Sequence, residues 1–403
     1  MTRNTPGVIA GVDTHAETHH AALVSTTGEH LTDQEFPATP DGYTRLCGFI
    51  TSHGPLARVG VEGTSSYGAG LTAVLLAADL DVVEVIRPTR SQRRRGKSDP
   101  IDAYAAAAAA LAGDYLPVPK TPGGAVDALR PLLIARRSAV KARSDAMRQI
   151  KSLLVTAPSD HRERFRHLSD ANLITQLAAL PAGPARDASS ACLTALGLIA
   201  RRYQALSSEA ASLEADIDAL VTATNPALRG AYGVGPITAA QLLVTAGDNP
   251  ERITSPAKFA ALTGTNPIPA SSGKTTRYRL NRGGDRQANA ALHQIVLVRM
   301  SSDPRTRTYV ARRKAEGKTT REVMRCLKRA VAREVYQHLV HPQPVPTVDD
   351  LRPLRQAKHV SLERVARQFG CWATDISRLE RATKRDDLLA KRYRDWLNTL
   401  PAA

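Results

Sequence analysis

Val8-Ile9-Ala10-Gly11-Val12-Asp13 is a short run of apolar and small residues that stops on a carboxylate. It is too brief for a helix and rich in β-branched residues, so it reads as a buried strand. His20-Ala21-Ala22-Leu23-Val24 follows after a polar break, and Gly28-Glu29 separates it from a third run, Leu31 to Phe36. A helix is expected from about Pro40 to Ile50. The opening pattern then recurs: Ala57-Arg58-Val59-Gly60-Val61 ends at Glu62 and passes into Gly63-Thr64-Ser65-Ser66. Leu71 to Ala78 reads as helix and Val82 to Ile86 as another buried strand. Three strands in series followed by alternating helix and strand predict a mixed sheet with helices on its faces, an α/β domain spanning residues 1–120.

Lys97-Ser98-Asp99-Pro100-Ile101-Asp102 comes next and leads into an alanine-rich run. With Ser98 as N-cap and Asp99 and Pro100 in the first turn, Asp102 lies one turn on, and both carboxylates share a face. Alone, this is ordinary capping and dipole compensation. Beside two strands that each end in one acid it reads differently. Asp13 and Glu62 can be neighbours in the sheet, Asp99 and Asp102 can close on the same point, and four carboxylates make an oxygen-ligand site for Mg²⁺. Arg87, Arg90, Arg93, Arg94, Arg95 and Lys97 are either a solvated charge run or, beside such a site, a grip on a nucleic-acid backbone. His15, His19 and His20 lie close to Asp13 but show no metal-ligand spacing, and are expected to be surface or strand residues.

The chain has 403 residues, 55 Lys or Arg against 38 acids, and a formal charge of +17. That length fits two or three domains, and that charge points to a polyanion, nucleic acid before membrane. No run of 18 apolar residues occurs and the N-terminus lacks a signal-peptide pattern, so a soluble cytoplasmic protein is expected. Cys47, Cys192, Cys326 and Cys371 are scattered, which argues against a zinc site or a disulfide framework. Aromatic residues make up only 4%, which disfavours single-strand binding by rows of stacked rings.

Lys120-Thr121-Pro122-Gly123-Gly124 marks the first boundary. Val126 to Val155 and Ser189 to Thr222 carry apolar residues at helical spacing, joined by a segment containing Pro and Gly, and predict an antiparallel coiled-coil arm or a compact helical insert over 121–225. A mainly α region is expected over 226–340. In it, Gly233-Val234-Gly235-Pro236 has the form of a helix-hairpin-helix turn whose helix N-terminus can face a phosphate. Ser271-Ser272-Gly273-Lys274 by itself is a common turn. It opens a cationic segment, Lys274 to Arg333, with 17 Lys or Arg against 4 acids, the expected nucleic-acid face. His341-Pro342-Gln343-Pro344-Val345-Pro346 is a linker. Beyond it, Ser361 to Gly370 and Thr374 to Arg381 have helix-turn-helix spacing, so residues 341–403 are either a DNA-reading tail or a helical cap.

Gly11-Val12-Asp13-Thr14, Val61-Glu62-Gly63-Thr64 and Lys97-Ser98-Asp99-Pro100-Ile101-Asp102-Ala103 resemble the acidic motifs of the DEDD transposases, which include pilin-gene DNA invertases and bridge-RNA-guided recombinases of insertion sequences. The resemblance spans roughly residues 7 to 340. It implies an N-terminal RNase H/RuvC-like fold, with Asp13, Glu62, Asp99 and Asp102 holding Mg²⁺ or Mn²⁺ through carboxylates only. It implies that Ser272, before Gly273, attacks DNA and forms a covalent intermediate, Ser271 being its neighbour without that role. It also implies DNA as donor and target, a structured guide RNA, and a homo-oligomer, dimer or tetramer. Arg93, Arg94, Arg95, Lys97, Gly233, Gly235, Lys274, Arg277, Arg279, Arg282 and Arg286 are the expected nucleic-acid contacts. A serine hydroxyl needs help to lose its proton. No histidine is obviously placed nearby, so the distant carboxylate site is the activator the sequence offers, and Lys274, Arg277 or Arg279 would balance phosphate charge. The tail lies beyond the usual end of that family. Two other readings stay open: a RuvC-like nuclease using water, and a non-catalytic DNA-binding regulator derived from a transposase.

Overall fold

The computed structural model describes residues 7–85, 98–113, 116–181, 183–274, 278–382 and 386–401. They fall into two compact units, one of residues 1–124 with 246–252, the other of 125–245 with 253–403. Among the described residues no helix is long and apolar enough to cross a membrane.

The first unit is built on β1 (Val8–Thr14), β2 (Thr18–Ser25), β3 (His30–Pro37), α1 (Pro40–Thr51), β4 (Leu56–Glu62), α2 (Ala69–Ala77), β5 (Val82–Val85) and α3 (Asp99–Ala112). The sheet order is β3-β2-β1-β4-β5. β1 is antiparallel to β2 and parallel to β4, and β4 is parallel to β5. β1 is therefore central, and all seven of its residues are buried, as a strand covered on both faces requires. The exposed and largely polar β3 closes one edge. Thr39 caps α1 through the Gly42 N–H. The distant strap 246–252 belongs to this unit: the Asn249 side chain donates to the Pro119 carbonyl at 3.0 Å and accepts from the Thr121 N–H at 3.2 Å.

In the second unit, α4 (Ala125–Thr156) and α7 (Ala188–Thr224) form the long pair. Arg136 of α4 donates to Glu214 of α7 at 2.6 Å, and Arg202 of α7 donates to Gln149 of α4 at 3.4 Å. One numbering rises as the other falls, so the helices are antiparallel. Leu129, Leu133, Ala139, Ala146 and Ile150 supply the buried stripe of α4, close to heptad spacing. The intervening segment is itself helical, with α5 (Ser159–Phe165) and α6 (Asp170–Ala178). Phe165, Leu173, Ile174 and Leu177 form a small core there with Ile150 and Leu196.

Next come α8 (Pro226–Gly230), α9 (Pro236–Ala246), α10 (Pro256–Leu262), a two-stranded ribbon of β6 (Pro267–Pro269) and β7 (Tyr278–Leu280), α11 (Arg286–Ser302), α12 (Pro304–Ala315) and α13 (Thr320–Val340). Asp285, Asp303 and Thr319 cap α11, α12 and α13, each satisfying N–H groups that a helix start leaves open. The tail holds α14 (Leu351–Ala357), α15 (Leu362–Phe369), α16 (Ala373–Glu380) and α17 (Asp387–Thr399). Its core of Leu351, Val360, Val365, Ile376, Leu379, Tyr393 and Leu397 draws on the tail alone.

Candidate active site

Side chains alternate faces along a strand, and that alternation sorts β1 and β4. Val8, Ala10, Val12, Val59 and Val61 join Leu46, Ile50, Leu71 and Leu75 in one core. Ile9 belongs with Ala107 and Ala110 of α3 in another. Gly11 and Asp13 of β1, and Gly60 and Glu62 of β4, thus face α3. A Cβ on Gly11 would lie 2.0 Å from the Ala107 nitrogen and 2.3 Å from the Ala103 carbonyl oxygen. On Gly60 it would lie 2.8 Å from the Ala110 Cβ and 2.9 Å from the Ala106 oxygen. These glycines are opposite each other in the register, and α3 rests directly on their backbones. Its buried stripe is Asp102, Ala103, Ala106, Ala107 and Ala110. The first turn of α3 consequently falls at the strand ends that carry Asp13 and Glu62.

Asp13 is 0%, Asp102 4% and Glu62 9% exposed. The His15 Nε2 lies 3.1 Å from Asp13 Oδ2 and 3.4 Å from Asp99 Oδ1. Among the described residues, Asp13, His15 and Asp99 bring potential ligand atoms within 4.8 Å of one another. Glu62 and Asp102 are not part of that triplet. Glu62 ends the strand beside Asp13, since Val12 is opposite Val61, and Asp102 is in the first turn of α3 with Asp99. Thr14 donates its hydroxyl to the Glu62 carbonyl at 2.7 Å and joins the two strand ends. Gly63 turns the chain away with φ +71°. Asp13 Oδ1 is buried with no hydrogen-bond partner, which is costly for a carboxylate oxygen. A buried Asp13 with one oxygen unsatisfied, beside further carboxylates, fits a hard cation, which prefers oxygen donors.

The expectation that His15 is a surface or strand residue is corrected by its position. It lies just past the end of β1, one-third exposed, with its ring between two carboxylates. Nothing in its spacing announces this, because Asp99 reaches it only through the packing of α3. His19 and His20 are strand residues, as expected. His19 is buried and stacked on Tyr43 at 5.4 Å, and burial lowers its pKa. His20 pairs with Asp33 at 2.6 Å. Ser98 stands at the N-cap of α3, but its side chain makes no capping hydrogen bond.

Ser272 is in the second unit, between β6 and β7, and Ser271 to Lys274 are all exposed. Gly273 takes φ +54° with open space around it. The base of the ribbon is tightly held. Asn281 donates to the Asn266 side-chain oxygen at 2.6 Å, and a Cβ on Gly284, itself at φ +82°, would lie 2.7 Å from the Gly264 nitrogen. Asn289 of α11 donates to the Thr263 carbonyl at 2.7 Å and accepts from the Lys328 ammonium of α13. Burial holds that lysine below its ordinary pKa. A cavity of about 360 Å³ lies against the ribbon, lined among others by Tyr278, Arg279, Leu280, Arg325 and Arg329. Arg325, Lys328 and Arg329, which come together on α13 here, stand in the sequence only as part of the cationic segment from Lys274 to Arg333. Their i, i+3, i+4 spacing on an amphipathic helix was the available signal.

Of the expected nucleic-acid contacts, Lys274, Arg279, Arg282 and Arg286 are exposed around this ribbon. Arg93, Arg94, Arg95, Lys97 and Arg277, with Arg87 and Arg90, lie outside the described residues. Gly233 adopts φ +77° and packs against Arg299 and the Ile295 carbonyl of α11. The Gly235 N–H donates to Thr238 Oγ1 at 3.0 Å, so the cap of α9 itself uses that donor.

Two family models match the chain. Residues 10–157 match a DEDD transposase model of the IS110 type, described as "Transposase". Residues 225–311 match the "Transposase IS116/IS110/IS902 family" model. The chain is also similar to the insertion element IS110 uncharacterized 43.6 kDa protein of Streptomyces coelicolor, with 36% identity over 138 residues. That alignment spans about a third of the relative, 34% of its length and 33% of this chain. Two matched segments, one over the acids and one over Ser272, and this relative place the chain in the IS110 family of transposases.

Proposed function

We propose that the protein is a DNA transposase that cuts and rejoins strands through a covalent Ser272 intermediate. We further propose that the first unit is an RNase H/RuvC-like domain, consistent with the sheet order β3-β2-β1-β4-β5 and the acids at the ends of β1 and β4. The observation that carries the functional reading is the buried Asp13 with its unsatisfied Oδ1, set beside Glu62 on the neighbouring strand and below Asp99 and Asp102 of α3. Asp13, Glu62, Asp99 and Asp102 would hold Mg²⁺ or Mn²⁺, and His15 keeps Asp13 and Asp99 together. When bound, the cation supplies charge stabilisation at phosphoryl oxygens.

The exposure of Ser272 on a braced ribbon leaves its Oγ open to a phosphodiester. In the step proposed, Oγ forms a bond to phosphorus and the bond to one deoxyribose oxygen breaks. The serine proton passes to a base and the leaving oxygen takes up a proton. Attack by the hydroxyl of another strand reverses the step and releases Ser272. Exposed Lys274, Arg279, Arg282 and Arg286 hold the backbone by charge. Donor and target DNA, a structured guide RNA and assembly into a homo-oligomer complete this reading, with the cytoplasm as its setting.

The test is denaturing electrophoresis after incubation with a nicked DNA target and Mg²⁺. The wild-type chain yields a protein-DNA adduct that Ser272→Ala abolishes and Ser271→Ala retains. Undiminished strand cleavage by Ser272→Ala would instead identify a nuclease that uses water.

A further inference from the structure

We propose that the tail, residues 348–400, is a sequence-specific reader of double-stranded DNA, with α16 as the helix that enters the major groove. Neither family match reaches these residues, and the reading is independent of strand cleavage.

The geometry begins at Gly370. It follows α15 with φ +65°, and the Cys371 N–H returns to the Ala366 carbonyl at 3.0 Å. Three residues, Gly370 to Trp372, then separate α15 from α16, the connection of a helix-turn-helix. The inner side of α16 is committed to the core through Ile376, Leu379 and Glu380. Glu380 is 3% exposed and takes two hydrogen bonds from Arg355 of α14, at 2.7 and 3.0 Å, and one from the Tyr393 hydroxyl of α17 at 2.8 Å. This lock fixes the rotation of α16 against both neighbouring helices, as a reading surface requires.

The outer side of α16 has a different composition. Thr374, Arg378 and Arg381 are exposed at i, i+4 and i+7, one face of the helix. Trp372, 78% exposed, stands at its N-terminal end and contributes little to the core. Arg364 and Arg367 are exposed on α15. Residues 351–403 hold 12 Lys or Arg against 6 acids, so the module meets a polyanion favourably. The division of labour follows from groove chemistry. Arg378 suits the two acceptors of guanine, Thr374 and Trp372 offer hydroxyl and apolar contacts to base edges, and Arg364 and Arg367 of the first helix contact phosphates.

The experiment uses the full-length chain and a library of duplexes with about twenty random base pairs, the span of two half-sites one helical turn apart. EDTA is present so that cleavage selects nothing. The wild-type chain is expected to enrich one short motif. Thr374→Ala with Arg378→Ala loses that enrichment, and Arg378→Ala alone weakens the enriched duplex about 10- to 100-fold. Arg364→Ala with Arg367→Ala weakens all duplexes alike and flattens the salt dependence. Circular dichroism checks that each variant keeps its fold, and Arg378→Lys, which keeps the charge but not the two-pronged guanidinium, should weaken the enriched duplex as Arg378→Ala does. Failure to enrich a motif, or the same motif in the Thr374→Ala, Arg378→Ala chain, overturns the proposal. Equal competition by a DNA duplex of scrambled sequence overturns it too, because contacts to base edges must tell the two apart. Ser272→Ala should enrich the same motif, so this reading and the cleavage reading fail separately.

Discussion

Asp13 is the residue on which stability and function oppose each other. Its carboxylate is buried beside other acids, with one oxygen bound to His15 and the other unsatisfied. Asp13→Asn keeps the shape and the His15 contact while removing a charge. It should therefore raise the metal-free stability by about 1 kcal/mol, the usual scale for relieving a functional site. The wild-type chain should gain about 2.7 kcal/mol from Mg²⁺ at a hundredfold excess over its dissociation constant, and Asp13→Asn should lose most of that gain. Thermal melts with and without Mg²⁺ check both signs, and a variant less stable than wild type without metal would contradict the argument. The positions of Asp13, Glu62, Asp99 and Asp102 were legible because each ends a strand or opens a helix, where local pattern is strongest. The place of His15 was not, because it depends on the tertiary closure of α3.

At the level of elements, the site is set by how closely α3 approaches β1 and β4. Gly11→Ala puts a methyl group 2.0 Å from a backbone nitrogen of α3, and no rotamer change relieves a backbone clash. The helix must lift, at a cost toward the upper end of the roughly 1–3 kcal/mol of an overpacked core, and Asp99 and Asp102 move with it. Urea titration should show lower stability, and the Mg²⁺-induced gain should fall although no acid has changed. Gly48→Ala on α1, where an added Cβ meets nothing, is the control and should leave both readings near wild type. Short apolar runs revealed the strands of the first unit to within a residue or two, and apolar residues at helical spacing revealed the long helices. α5 and α6 were hidden in a segment whose Pro and Gly dominate its local reading. The β6 and β7 ribbon was hidden as well: each strand has three residues, too few for a period to show, and non-local contacts from Asn281 and Asn289 brace it.

On the scale of the whole molecule, sequence order and structural partition differ. The strap 246–252 joins the first unit through Asn249, a pairing 130 residues long in sequence that no local pattern signals. The tail shows the opposite behaviour, since a proline-rich linker announces it and its core is local. A self-contained core predicts a cooperative unit that opens by itself. The Arg355–Glu380 pair tests this, because removing one partner of a buried ion pair costs about 3–5 kcal/mol, most of what a module this small possesses. Glu380→Leu leaves Arg355 and the Tyr393 hydroxyl without their shared acceptor. Hydrogen exchange should then show amides of residues 351–397 losing protection while those of β1, β4 and α3 keep theirs. If protection falls together throughout the chain, the tail is not a separate unit. If it falls nowhere, the triad does not hold α16 in place.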